Sequence, residues 1–172
     1  MYHWLGIAIA LFATVGCAYA QEQPSSRIET YSDWTVRCIP FGEEKPPQCQ
    51  LLQELSNKQS GQRILAFIVE RGNDENLTGT LLMPFGLDLQ KGIEGTIDSD
   101  QALQKTHFST CLPSGCLASL DIDDDLEQGL RRGTALQLSV WSISAAQRVE
   151  IELSLKGFTA ALNRLNSLLE KQ

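Results

Sequence analysis

Histidine is nearly missing from this 172-residue chain, which has two, His3 and His107. Any Ser–His–Asp or Cys–His arrangement in the body of the protein must therefore use His107, and no G-x-S-x-G surrounds a serine. His107 lies in the alternating stretch "LQKTHFSTC", where it reads as a surface or edge residue rather than a base. No glycine-rich stretch has the spacing of a phosphate-cradling loop. Bases are also short: 14 Lys and Arg face 21 Asp and Glu, a formal net charge of −7. So acidic a chain offers no electrostatic footprint for nucleic acid or for an anionic membrane surface. These deficits exclude nucleic acid as a partner and leave no catalytic residue and no cofactor to assign.

Charge is absent altogether from residues 1–20, "MYHWLGIAIALFATVGCAYA", which carry no Asp, Glu, Lys or Arg. Leu5 to Val15 form an apolar run, Ala18-Tyr19-Ala20 supplies small residues, and the polar "QEQPSS" follows. The run is shorter than the roughly 20 residues of a membrane-spanning helix, so it reads as a cleaved signal peptide. The missing Lys or Arg near Met1 is its one departure from that pattern. The mature chain is expected to start at Gln21, with a flexible leader over 21–30 and a single domain over 31–172. It would then work in the periplasm or at the outer membrane, with no transmembrane segment. A lipid anchor at Cys17 is the lesser alternative, because the preceding "TVG" lacks the usual leucine three residues upstream.

Of five cysteines, Cys17 leaves with the signal, and Cys38, Cys49, Cys111 and Cys116 remain. An even number in an oxidising compartment favours two disulfides, with three connectivities open, over a zinc site. In "CLPSGC", four residues separate Cys111 from Cys116, where a redox pair usually has two. Pro113 and Gly115 occupy positions that a type I turn prefers. This pair therefore reads as a staple across a hairpin. Cys38 and Cys49 likewise bracket a short Pro/Gly-containing loop, so the expected pairs are Cys38–Cys49 and Cys111–Cys116.

The rest of the pattern is mostly period two. "YSDWTVRC" alternates, "CQLLQEL" follows a Pro/Gly-rich loop, and "QRILAFIVER" is a continuous apolar run fit for a central strand. Later, "ALQLSVWS" and "VEIELSL" alternate cleanly. Eight or more short strands separated by turns mark an antiparallel β-sandwich-like domain. Two short peripheral helices interrupt it, at about 124–132 and 158–170. The first has Asp124 as the expected N-cap, Glu127 three residues on, and Gly133 at its stop. The second repeats Phe158, Leu162, Leu165 and Leu169 at helical spacing and reads as docked on the sheet; a free partner-binding helix is the sharper alternative. Asp121, Asp123 and Asp125 imitate the first half of a calcium loop. The loop's required glycine is Leu126 here and its bidentate glutamate is Arg132, so no metal is assigned.

"DWTVRC", "QCQLLQ", "MPFGLDLQKGI", "CLPSGCLASLDIDDDLEQGLRRG" and "LSLKGFTAAL", in that order, resemble the invasion-associated locus B proteins of Gram-negative bacteria. The resemblance runs from about Tyr31 to Leu165. It implies an exported, mostly β envelope protein associated with host-cell entry, and no established enzyme activity or cofactor. Only Cys38, Cys49, Cys111 and Cys116 carry over, as structural positions. The expected function is a non-catalytic interaction module whose partner is an unidentified envelope or host-surface protein. The alternatives are a cryptic hydrolase or a small-ligand carrier of the periplasm.

Overall fold

The computed structural model describes residues 26–40, 42, 45–72 and 76–170. The expected signal peptide, Cys17 and the Gln21 start lie outside the described residues. Within them, eleven strands and two helices form a two-layer β structure.

The first layer has seven strands: β1 (Arg27–Tyr31), β2 (Trp34–Ile39), β3 (Gln48–Ser56), β4 (Arg63–Arg71), β5 (Leu77–Met83), β8 (Phe108–Leu112) and β9 (Gly115–Ile122). They run in the order β1-β2-β3-β4-β5-β9-β8, every neighbour antiparallel. The second layer has four, ordered β11-β10-β6-β7, from β6 (Glu94–Ile97), β7 (Gln101–Ala102), β10 (Ala135–Ser142) and β11 (Gln147–Ser154). Alternation decides which face is inside. Trp34, Val36 and Cys38 of β2 point inward with Leu51 and Gln53 of β3, and Leu136, Leu138 and Val140 of β10 answer from the other layer. The run "ILAFIV" becomes β4 at the middle of the large sheet. Leu65, Phe67 and Val69 fill the core, while Ala66 is buried on the opposite face.

Trp34 is the centre of that core. Its ring meets Phe67 and Phe158 edge-to-face, at centroid distances of 5.9 and 5.0 Å. Its Nε1 donates to the Ser154 carbonyl at the end of β11, 3.0 Å away. Phe158 opens helix α2 (Phe158–Leu169), whose Ala161, Leu162 and Leu165 are also buried in this core. The spacing that predicts a docked helix is thus satisfied by packing. Gly157 caps it in a left-handed conformation, φ 92°, where a Cβ would also strike the Tyr31 carbonyl, so only glycine fits on both counts. Helix α1 (Asp124–Arg132) buries Leu126 and Leu130. Among the described residues no helix is long and apolar enough to cross a membrane.

Two expectations need correcting. Tyr31 to Cys38 is not one strand: the chain reverses at Ser32-Asp33, Ser32 taking φ 54°, and residues 27–30 pair with β2 as β1 rather than belonging to a loose leader. The reason lies at the other end of the chain. Arg164 of α2 grips Glu29 through Nε at 2.7 Å and a second guanidinium nitrogen at 2.8 Å, and the Tyr31 hydroxyl donates to the same carboxylate at 2.8 Å. The second correction is the cap of α1. It is Asp123, whose Oδ1 accepts from Leu126 N at 2.8 Å, so Asp124 is the first helical residue.

Replacing Trp34 by Ala should lower unfolding stability by about 3–5 kcal/mol, read as a shift in urea midpoint, because the site loses its ring contacts and its indole donor together. The Arg164 hydrogen bonds, then that of Tyr31, hold Glu29 at a pKa of about 2 against an ordinary 4.5. A depressed carboxylate stabilises above its unfolded pKa and loses that effect as pH falls through the folded one. The stability gap between the parent and Glu29→Gln should therefore be full at pH 7, shrink below about 4.5, and vanish near 2. Urea titrations of both proteins across this range check it.

Candidate functional site

β9 alternates, so Leu120 and Ile122 enter the core while Ser119 and Asp121 face out. The strand runs directly into the α1 N-terminus, which adds Asp123, Asp125 and Leu126 to the same surface. Opposite lie β7 and the segment 103–107, which crosses to β8 and is bridged to Ile93 at Thr106. Between them is an open, mostly polar cleft of about 450 Å³, lined by Gln101 to His107 and by Ser119, Leu120, Asp121, Asp123, Asp125 and Leu126.

Backbone bonds hold the 101–107 wall. Leu103 N donates to Gly95 O at 2.8 Å, and Ile93 and Thr106 exchange a pair at 2.8 and 3.0 Å. Gly92 allows that exchange, since at φ 69° a Cβ would lie 2.6 Å from the Thr106 carbonyl. The same Cβ would sit 3.4 Å from His107 Nδ1, so the imidazole packs along this glycine. Gln101 bridges the walls, its Nε2 donating to the Asp125 carbonyl at 3.3 Å, and its side chain rests on Gly129 of α1. Lys105 reaches back to Glu94 at 3.5 Å, and Arg148 meets the same carboxylate at 3.0 Å. Arg148 foremost, and Lys105 with it, hold the Glu94 carboxyl below the usual range.

Close by, the β6–β7 turn places Asp98 and Ser99 in left-handed backbone. The Asp98 carboxylate accepts from Thr134 Oγ1 at 2.6 Å and from Thr134 N and Ala135 N, which lowers its pKa. This ties the turn to the start of β10.

Two groups that the sequence presents as separate candidates meet in this cleft: His107, and the acids Asp121, Asp123 and Asp125. No spacing rule could have joined them, because the meeting depends on β9 lying beside the 101–107 crossing. The acids do not form a calcium loop. Asp121 ends a strand, Asp123 spends an oxygen on the helix cap, and Asp125 stands in the first helical turn. Among the described residues no group of three or more His, Cys, Asp or Glu side chains is placed to hold a metal. Carboxylates there also meet the positive end of the α1 dipole.

The four cysteines lie elsewhere. The structure joins Cys38 to Cys49 across β2 and β3, with both residues buried, and Cys111 to Cys116 across β8 and β9. In each case the partners are directly opposite one another in the ladder. The second bond closes the two-residue hairpin Pro113-Ser114, and Arg63 donates to the Ser114 carbonyl at 2.6 Å. Gly115, at φ 138°, packs on the Met83 carbonyl where a Cβ has no room. Because β8 begins just after His107 and β9 carries Ser119 and Asp121, the β8–β9 ladder joins the two cleft walls, and this staple closes that ladder at its hairpin end.

A family model described as invasion associated locus B (IalB) protein matches residues 34–166. An invasion protein B homologue of Brucella abortus (strain 2308) is 40% identical over 171 residues, covering 97% of each chain. Invasion protein B of Bartonella bacilliformis is 31% identical over 148 residues, 84% of this chain and 77% of that protein. The crystal structure of invasion associated protein B from Bartonella henselae superposes with a TM-score of 0.76. It is 28% identical and covers 85% of this chain and 99% of that one.

Loss of the staples should be graded. Cys111→Ala/Cys116→Ala removes a six-residue ring, and the loop-entropy estimate is about 2 kcal/mol. Cys38→Ala/Cys49→Ala removes a larger ring and should cost about 3 kcal/mol, plus the packing of two buried sulfurs. Urea unfolding of the two double variants should rank them in that order, and non-reducing peptide maps of the parent should yield only these two linkages.

Proposed function

Because this chain belongs to the invasion associated locus B family, we propose that it acts as a non-catalytic interaction module of the bacterial envelope, contacting a protein partner through the cleft between residues 101–107 and the β9–α1 junction. The family and the two disulfides support an exported protein. Within that class we assign it to the periplasm or the outer membrane, released by cleavage after Ala20. The relatives' names supply the association with invasion, which we read as host-cell entry.

The observation that carries this reading is the makeup of the cleft. Exposed Lys105, His107, Asp121 and Asp125 set charges of both signs around an open polar surface. Such a surface suits the polar, wet kind of interface made by transient partners. The interior favours the same reading over a ligand carrier: the space between the sheets is filled by Trp34, Phe67, Leu51, Leu136, Leu138 and Leu153, all fully buried. The hydrolase reading places its weight on His107, which does line the cleft, so His107 separates the two.

Pull-downs against envelope and host-surface proteins, repeated with two variants, test this. Reversing Asp121 and Asp125 to Lys should weaken capture of a partner on the order of tenfold or more, whereas His107→Ala should change it by less. If the purified protein instead turned over an esterase, glycosidase or peptidase substrate, and His107→Ala cut that rate roughly 100-fold or more, the module would be an enzyme.

A further inference from the structure

Four of the six large apolar side chains most exposed among the described residues, Phe85, Leu89, Leu112 and Ile143, collect at one end of the sandwich. Strand register puts them there. β5 ends at Met83, opposite Cys116, so Pro84-Phe85 emerges beside the Leu112–Gly115 hairpin tip. Ile143 N then donates to Gly86 O at 2.9 Å, and Leu87 bridges Ser142. Leu89 stands in the next turn, which Asp88 N anchors to Trp141 O at 2.9 Å. Phe85 and Ile143 are 60% and 62% exposed, and the Ile143–Gly86 bond sets their turns side by side, unlike the scattered single hydrophobes that need no explanation.

Charge is distributed to match. The four turns at this end, 57–62, 84–92, 112–115 and 143–146, carry Lys58 and Lys91 against Asp88, and the Arg63–Glu54 pair borders them. At the opposite end, residues 98–100 and 121–128 hold seven acids and no Lys or Arg. These acids lie away from the apolar tips, while Arg131 and Arg132 close the same helix. Beside them, Lys91 Nζ sits 3.2 Å from the Trp141 ring centroid, an aromatic–cation pair of the kind that suits the boundary between headgroups and water.

We propose that this end docks on a lipid bilayer, with Phe85 and Ile143 entering the boundary between headgroups and acyl chains and Lys58 and Lys91 facing lipid phosphates. The tips stand on separate turns and project, which fits a fluid surface better than the concave complement a protein must offer. A second copy is disfavoured because symmetric docking would set these cations against themselves. Docked this way, the acidic end with the cleft points away from the membrane. The proposal does not depend on what the cleft binds.

Flotation with vesicles tests it, using the parent and a Phe85→Ser/Ile143→Ser variant in the same exported form, so that whatever precedes residue 26 is common to both. One vesicle set is phosphatidylcholine, the other phosphatidylethanolamine with a minority of phosphatidylglycerol. The parent should float with both and better with the second, and added salt should remove only that excess. The Ser variant should lose on the order of tenfold or more in partitioning with an unchanged unfolding midpoint. Lys91→Glu should lose only the preference for phosphatidylglycerol. Asp121→Lys/Asp125→Lys, which disables the cleft, should float like the parent or better. A parent that stays in solution with both vesicle types would overturn the proposal. So would equal flotation of the Ser variant, or a parent dimer that the Ser variant dissociates.

Discussion

One carbonyl joins the two layers. Ser154 O, at the end of β11, accepts from Trp34 Nε1 of β2 and from Gln53 Nε2 of β3, both at 3.0 Å. A buried indole N–H and a buried amide therefore both depend on where the small sheet ends. The position of that sheet over the large one follows, as does the place where the chain turns into α2. Among the described residues Gln53 Oε1 meets no hydrogen-bond donor. The sandwich keeps this arrangement because Trp34, Phe67 and Phe158 close around it.

Most of the fold was legible because it follows from local alternation. β4, β10, β11 and both helices lie where periodicity puts them, since burial on one face of a strand or helix writes itself into the order of residues. What failed was decided at a distance. Residues 27–30 read as a loose polar leader because their anchor, Arg164, lies 135 positions along the chain. Asp123 and Asp124 are equivalent as caps until tertiary packing fixes where the helix begins. The site was legible only in pieces. His107 and the aspartates were each visible, but their meeting across the cleft depends on sheet order, and no local pattern encodes that. The exposed tips were invisible for the same reason: Phe85, Leu112 and Ile143 belong to three turns that only the β5–β9 register and the Gly86–Ile143 bond bring together.

The α1 end is built by one set of interlocking polar contacts. Glu127 of α1 pairs with Arg131 at 2.7 Å and lies 3.8 Å from Arg71 of β4. Arg71 and Arg131 then donate to Asn166 and Asn163 of α2. These side chains are partly exposed, so each pair contributes modestly on its own. Their joint effect is to hold α1, α2 and the large sheet in a single orientation, which keeps the cleft's acidic wall rigid.

The distances along the chain have a consequence for how such a protein reaches its compartment. Trp34 leaves first when a polypeptide is threaded amino end foremost, and its acceptor Ser154 follows 120 residues behind. Until that acceptor and Phe158 emerge, the large sheet has no lid and β1 has no clasp. The two sulfur bridges are different in kind, closing over separations of 11 and 5 residues. Each can form as soon as its own hairpin clears the channel. In a chain exported that way, the bridges would close in segments ahead of the sandwich, whose Trp34–Ser154 contact waits for the carboxyl-terminal part.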